Sequence, residues 1–221
     1  MKRNLKKETP KIHWEVLTKE QKKLLSKLKF LKKMGFYLAG GTGLALQIGH
    51  RTSIDFDFYR KKEFDGKILA QQISKTLPNL EHRFIGEGTL RVAINNCEVS
   101  FFYYPYDLIQ KPLDIGVLLA SKEDIAAMKL LAIADRGTRR DFIDLYFLIQ
   151  EFGVSKIFSF LQKKYPRYDP YHALVGLTYF VDADKIRDQK RFNLLKPAPS
   201  WPKMKEYFRK IASEFKKELL K

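Results

Sequence analysis

A single cysteine, Cys97, in 221 residues excludes an internal disulfide and any zinc site built from several thiolates, and a reducing, cytoplasmic compartment is the expectation. No stretch approaches the roughly eighteen uncharged apolar residues that a membrane span needs, and Lys-rich helices docked on a core through Leu and Phe keep no apolar face for a bilayer, so no membrane partner is expected. The opening MKRNLKKETPKIHWEV is basic but lacks the apolar core and small-residue cleavage site of a secretory signal. It is expected to stay on the mature protein. Internal repeats and low-complexity linkers are absent. The four histidines, His13, His50, His82 and His172, show no metal-ligand spacing. There is no HExxH or deaminase signature and no phosphate loop ending in Lys-Ser/Thr.

Acids are also scarce, 25 against 42 Lys+Arg, which leaves a net charge of +17 and an expectation of an anionic partner. The excess is confined to the ends. Residues 1–33 carry a balance of +9 and residues 185–221 a balance of +8, while the stretch between them sums to zero. Both ends read as amphipathic helices. Thr18 with Gln21 resembles a capping box, followed by Leu24, Leu28 and Leu31 at helical spacing. Met204, Phe208, Ile211, Phe215 and Leu219 form a second stripe. Lysines surround both. Solvated faces or nucleic-acid docking are the two readings, and segregation at both ends favours docking.

At 45% apolar and 14% aromatic residues, the chain has ample material for a core. A basic helical segment is expected over 1–35, an α/β core over 36–117 and a helical C-terminal lobe over 118–221. Phe36–Ala39 reads as a buried strand stopped by Gly40-Gly41, Thr42–Ile48 as a short helix, and Ile54–Tyr59 as an alternating strand. A helix over Phe64–Leu77 stops at Pro78. Strands follow at His82–Ile85, Thr89–Asn95 and Glu98–Tyr104, the last two joined by a hairpin turn at Asn95-Asn96.

The densest chemistry lies in GGTGLALQIGHRTSIDFDF, residues 40–58. Two glycines at a strand end let the backbone turn sharply and offer amide N–H groups at a helix start, where phosphate is favoured. Asp55 and Asp57 then share one face of a strand, about 7 Å apart. Carboxylates so placed can bracket one or two Mg²⁺ and hold a triphosphate for in-line displacement. Two like charges at such spacing are costly unless a cation sits between them.

This segment resembles the signature of DNA polymerase β-like nucleotidyltransferases. With Gly49-His50-Arg51, Ser53 and Asp55-Phe56-Asp57-Phe58, it is similar to the AbiEii/AbiGii toxin branch of that superfamily. The resemblance implies an α+β fold, a mixed sheet with flanking helices, and transfer of a nucleoside monophosphate from an NTP to an acceptor. It implies Mg²⁺ (or Mn²⁺) at Asp55 and Asp57, triphosphate contacts from Gly40, Gly41 and Thr42, and contributions from Ser53 and Arg51. Relatives often carry a third acid on a nearby strand. Ser100 stands at the position aligned with it, and Glu98, of the same parity, is the candidate third metal ligand.

Residues 121–148 resemble the same branch, which implies a Lys on one helix and an Arg-Asp pair opening the next. Lys129 and Arg136 share a helix face. Gly137 can end that helix and Thr138 cap the next, whose first turn holds Arg139, Arg140 and Asp141. Two arginines there oppose the helix dipole, so a ligand or fixed ion pair is expected. Lys129 and Asp144 are candidate catalytic groups, and Arg136, Arg140 and Asp141 candidate nucleotide contacts. Lys129 as a snorkelling lysine, Asp144 paired to Arg140, and His50 as a packed histidine or a nucleotide contact remain open. The terminal helices favour RNA, tRNA in particular, as acceptor, with a cognate antitoxin as a possible partner. The alternatives are a non-catalytic RNA-binding protein on a degenerate fold, or nucleotidylation of a protein or small molecule.

Overall fold

The computed structural model describes residues 11–77, 80–185 and 192–219. Pro78 and parts of both basic ends lie outside the described residues. Helix α1 (Lys19–Lys27) begins at the expected capping box, with Thr18 accepting from the Gln21 backbone and Gln21 reaching back to the Thr18 backbone. A 3-10 segment, Lys29–Met34, continues it, and Gly35 at φ +80° ends that segment. Strand β1 (Tyr37–Ala39) runs directly into α2 (Gly40–Ile48), so the helix starts at the glycines themselves, two residues before Thr42.

Strand β2 (Phe56–Arg60) is shorter at its start than the alternation suggested, and Ile54 is exposed. The reason lies in the partners. β5 first meets β2 at Phe56, and the backbone carbonyls before it are taken by side chains: Ser53 by Gln21 Nε2, Ile54 by Cys97 Sγ and Asp55 by the Thr42 hydroxyl. After α3 (Gly66–Thr76), capped by Asp65, come β3 (Leu80–Gly86), β4 (Thr89–Ile94) and β5 (Cys97–Tyr103). Asn95 and Asn96 turn the last hairpin at φ +50° and +61°, the left-handed pair that a two-residue turn demands.

Short strands β6 (Leu113–Asp114) and β7 (Leu118–Leu119) complete a seven-stranded mixed sheet ordered β3-β4-β5-β2-β1-β7-β6. β7 pairs in parallel with β1, so the sheet extends past residue 117 into the stretch expected to be helical. Alternation divides β2 between the two faces. Phe56 and Phe58 join a core with Leu24, Leu31 and Ile73. Asp57 and Tyr59 point the other way, where α4 (Lys122–Arg136), α5 (Arg139–Phe152), α6 (Val154–Lys164), α7 (Pro170–Gly176) and α8 (Trp201–Leu219) build a second core on Tyr37, Ala39 and Leu44. Met204, Phe208 and Phe215 of the expected stripe are buried in it. The side chain of Leu219 lies outside the described residues. No helix among the described residues is long and apolar enough to cross a membrane.

Candidate active site

The two glycines are required by what presses against them. Gly40 sits at φ +61°, and a Cβ there would lie 2.7 Å from Asp57 Oδ2. At Gly41 a Cβ would lie 2.3 Å from Arg51 Nη2. Bare backbone at the start of α2 thus lets a carboxylate and a guanidinium close in on the helix N-terminus. Thr42 fixes the loop before β2: its hydroxyl donates to the Asp55 carbonyl and shares a 2.7 Å bond with the Ser53 hydroxyl.

Asp57 lies in register with Ser100 of β5, and Ser100 in turn with Arg91 of β4. Burial, and then the neighbouring charge of Asp55, push the Asp57 carboxyl up to about 6. Asp55 is within 4.0 Å of Arg140 Nη1 at the opening of α5. Two carboxylates with a hydroxyl at the third position form a hard oxygen donor set, and a divalent cation would offset both the burial of Asp57 and its repulsion by Asp55. Asp55 and Asp57 therefore fit Mg²⁺. No cluster of three or more His, Cys, Asp or Glu suited to a metal occurs among the described residues.

Glu98, expected as the third metal ligand, is placed elsewhere. It sits opposite Ala93, one residue before the start of the β2–β5 pairing at Val99, and its half-exposed carboxylate pairs with Arg83 at 3.4 Å. It does not line the cleft around Asp57.

The second motif forms a buried ion network. Lys129 Nζ donates to Asp141 Oδ1 at 2.7 Å and reaches Asp144 Oδ2 at 2.8 Å. Asp141 also closes the Thr138 capping box, accepting from the Thr138 backbone and hydroxyl. Asp144 is fully buried, gripped by Arg51 through Nε at 2.7 Å and Nη2 at 2.9 Å, and by His50 Nε2 at 2.7 Å. This placement does not match the expectation of a catalytic Asp144 in the cleft, nor the alternative of a pairing with Arg140. Its oxygens are occupied by protein cations and its side chain has no exposed surface, so Asp144 positions Arg51 and Lys129.

The charges are consistent with that arrangement. Burial alone would raise Asp144, yet Arg51 and Lys129 hold it well below the usual carboxylate range. Burial works against charge on Lys129 too, and Asp141 and Asp144 outweigh it, leaving the ammonium held above its ordinary value. His50 is lowered by burial despite Asp144, and its Nδ1 is buried without a hydrogen-bond partner. It is a neutral, packed histidine with its proton on Nε2, set edge-on to Phe147.

These elements enclose a cleft of about 360 Å³ lined by Gly41, Thr42, Arg51, Ser53, Asp55, Asp57, Arg91, Ser100, Phe102, Lys129, Arg136, Thr138, Arg140 and Asp141. Gly40 stands beside it through Asp57. Apart from Gly40, Glu98 and Asp144, the expected residues from both motifs, separated by some seventy positions in the chain, meet here. Arg91 and Phe102 were not anticipated. Their signal was available: a two-residue Asn95-Asn96 turn fixes Ile94 opposite Cys97, which puts Arg91 opposite Ser100, while Phe102 shares the parity of Ser100.

Paired carboxylates on and just before a sheet strand, beside a glycine-opened helix and ringed by arginines and a lysine, belong to a nucleotidyltransferase. The family model for the AbiEii nucleotidyl transferase toxin of type IV toxin–antitoxin systems matches residues 23–219, and the chain belongs to that family. It is 36% identical over 207 residues to the uncharacterized protein aq_aa25 of Aquifex aeolicus (strain VF5), covering 90% of this chain and 97% of that one. Among solved structures it is similar in fold to JHP933 from Helicobacter pylori, with a TM-score of 0.56 at 21% identity over 94% of each chain. A second H. pylori chain, given as a candidate nucleotidyltransferase, has a TM-score of 0.51 at 20% identity, over 92% of this chain and 97% of that one.

Proposed function

We propose that this nucleotidyltransferase uses Mg²⁺ and an NTP to place a nucleoside monophosphate on an RNA acceptor, with tRNA the favoured class, and releases pyrophosphate. The observation that carries the reading is the convergence on one cleft of Asp55 and Asp57 with the Gly40-Gly41 helix start and the cations Arg91, Lys129, Arg136 and Arg140. Asp55 and Asp57 would hold the metal, which supplies charge neutralisation for the triphosphate. Backbone N–H groups at the start of α2 favour phosphate oxygens, and Thr42 and Ser53 keep that helix start locked to the loop that carries Asp55. Lys129 faces the cleft from a fixed position because Asp141 and Asp144 hold its ammonium charged. Arg136 and Arg140 add positive charge where the pyrophosphate leaves.

In the transfer, an acceptor hydroxyl oxygen bonds to the α-phosphorus as the bond to the bridging pyrophosphate oxygen breaks, and the hydroxyl proton passes to solvent. RNA is supported as acceptor by the charge distribution. Lys22, Lys23 and Lys27 of α1, and Arg209, Lys210, Lys216 and Lys217 of α8, are exposed while the apolar stripes beneath them are buried. Such faces suit a phosphate backbone. A cognate antitoxin partner accords with the family and is part of the same reading.

The test is incubation with each α-labelled NTP, Mg²⁺, total RNA and total protein, followed by denaturing separation. Label in RNA supports the reading, and label confined to protein or small molecules contradicts it.

A further inference from the structure

The sheet face that carries the cleft continues into an aromatic row. Phe102 lines the cleft, and from it ring contacts run to Tyr59 at 5.4 Å, to Tyr104 at 5.3 Å, to Tyr106 at 5.0 Å and to Tyr165 at 4.7 Å. Ser100 and Tyr104 are four residues apart on or just beyond β5, about 13 Å by the usual rise. The row ends at a separate cavity of about 610 Å³ lined by Tyr106, Leu131, Asp135, Tyr165, Pro166, Arg167 and Tyr168. Helix α4 forms a wall of both spaces, presenting Lys129 and Arg136 to the cleft and Leu131 and Asp135 to the tyrosines.

This cavity has the makings of a recognition site. Tyr106 is 39% exposed and presents its ring to the space. Tyr104, Tyr106 and Tyr165 meet edge to face, and Tyr165, 3% exposed and bonded through its hydroxyl to that of Tyr104, braces Tyr106, whose ring is the accessible one of the three. Asp135 and Arg167 are exposed at its edge, and neither forms an ion pair or side-chain hydrogen bond among the described residues. An aromatic wall with one free acceptor and one free donor matches a nucleobase: ring faces stack it, a carboxylate accepts from an exocyclic amino group, and a guanidinium meets a ring nitrogen, carbonyl or phosphate.

We propose that the Tyr106–Tyr165–Tyr168 cavity is a stacking subsite for an unpaired nucleobase of the RNA acceptor, holding the strand while its terminal hydroxyl enters the cleft. The proposal rests on the reading that the acceptor is RNA. It adds a contact on the neutral middle of the chain to the backbone contacts of the basic helices, and this contact requires a single-stranded segment.

The test compares the parent with Tyr106→Ala and Tyr106→Phe, three full-length proteins. Tyr106 packs its ring edge on Tyr104 and Tyr165, so Tm is measured for each protein and binding is compared at equal folded fraction. The probes are a fluorescein-labelled single-stranded oligoribonucleotide for affinity, labelled NTP for nucleotide binding, and label transfer to total RNA for activity. Tyr106→Ala is expected to weaken oligonucleotide binding and raise the KM for RNA by about 5- to 150-fold, the range of one lost base stack, with NTP affinity unchanged. Tyr106→Phe keeps the ring and is expected to stay within about twofold of the parent. A parent that labels RNA while Tyr106→Ala binds the oligonucleotide equally well overturns the subsite and leaves the RNA reading standing. A fall in NTP affinity in place of RNA affinity overturns it also, by assigning the cavity to the nucleotide. A parent that labels only protein overturns both.

Discussion

Gly41→Ala gives a sharp test of the site's architecture because elementary helix physics predicts the opposite sign. In a helix, Ala is favoured over Gly by about 1 kcal/mol. Gly41 has no left-handed backbone to forbid it, yet its new Cβ would lie 2.3 Å from Arg51 Nη2. That nitrogen has to retreat by roughly 1 Å to reach ordinary contact. It has nowhere to go without loosening its 2.9 Å bond to Asp144, in a site where Arg51 is 2% exposed and Asp144 fully buried. Breaking a buried pair outright costs about 3–5 kcal/mol, so partial displacement less the helix gain leaves a net loss of about 1–3 kcal/mol. For a chain of this length that lowers Tm by roughly 3–10 °C. The control is Gly43→Ala in the same helix. Its Cβ meets the methyl ends of Ile125 and Leu119, at 3.3 and 3.4 Å, and the Leu38 carbonyl oxygen at an ordinary 3.5 Å, so its Tm is expected to stay within a few degrees of the parent, about 1 kcal/mol. Thermal unfolding of the three proteins decides the matter. If Gly41→Ala melts with or above Gly43→Ala, the tight Gly41–Arg51–Asp144 packing is refuted.

Asp57, pushed up to about 6 by burial and Asp55, binds its proton more tightly folded than unfolded. Metal-free stability is therefore expected to fall as pH rises from about 4 through about 6, by up to about 3 kcal/mol from this group. Asp57→Asn flattens that slope, and Mg²⁺ raises the parent's Tm more near pH 7.5 than near pH 5. Both are read from Tm against pH. Asp144→Ala leaves Arg51 and Lys129 buried without their shared partner and is expected to cost about 3–5 kcal/mol, visible as a lower urea midpoint. Neutralising Lys22, Lys23, Lys27, Arg209, Lys210, Lys216 and Lys217 to Gln should weaken RNA binding and flatten its salt dependence, by about 0.7–0.9 in slope for each residue that touches a phosphate. NTP affinity, measured by calorimetry, is expected to hold, and an equal fall in both would contradict separate docking and transfer surfaces.

Much of the site was legible because its determinants are local. Thr18 with Gln21, Asn95-Asn96 and Thr138 each specify a cap or turn through short-range hydrogen bonds or left-handed backbone, and each occurs as read. Lys129 and Arg136 sharing a helix face follows from the 3.6-residue period, and both reach the cleft. What escaped depended on long-range register and burial. The placement of Glu98 was decided by which β5 residue lies beside Asp57, and a parallel pair is set by its crossover, here α3 and a hairpin, with no local signature. Asp144 reads as an accessible acid from its spacing. Only the approach of the 50–51 loop shows that Arg51 and His50 bury it. Strands of two residues, such as β6 and β7, are too short to carry any alternation.

The measurement closest to the central claim is single-turnover transfer of label from α-labelled NTP to RNA, comparing the parent with Asp55→Asn and Asp57→Asn at equal folded fraction. The account predicts labelled RNA and stoichiometric pyrophosphate from the parent, and loss of both by at least about a thousandfold in either variant, since each removes a carboxylate proposed to hold the metal. Undiminished transfer by Asp57→Asn would contradict the account by showing that the chemistry resides elsewhere than in this cleft.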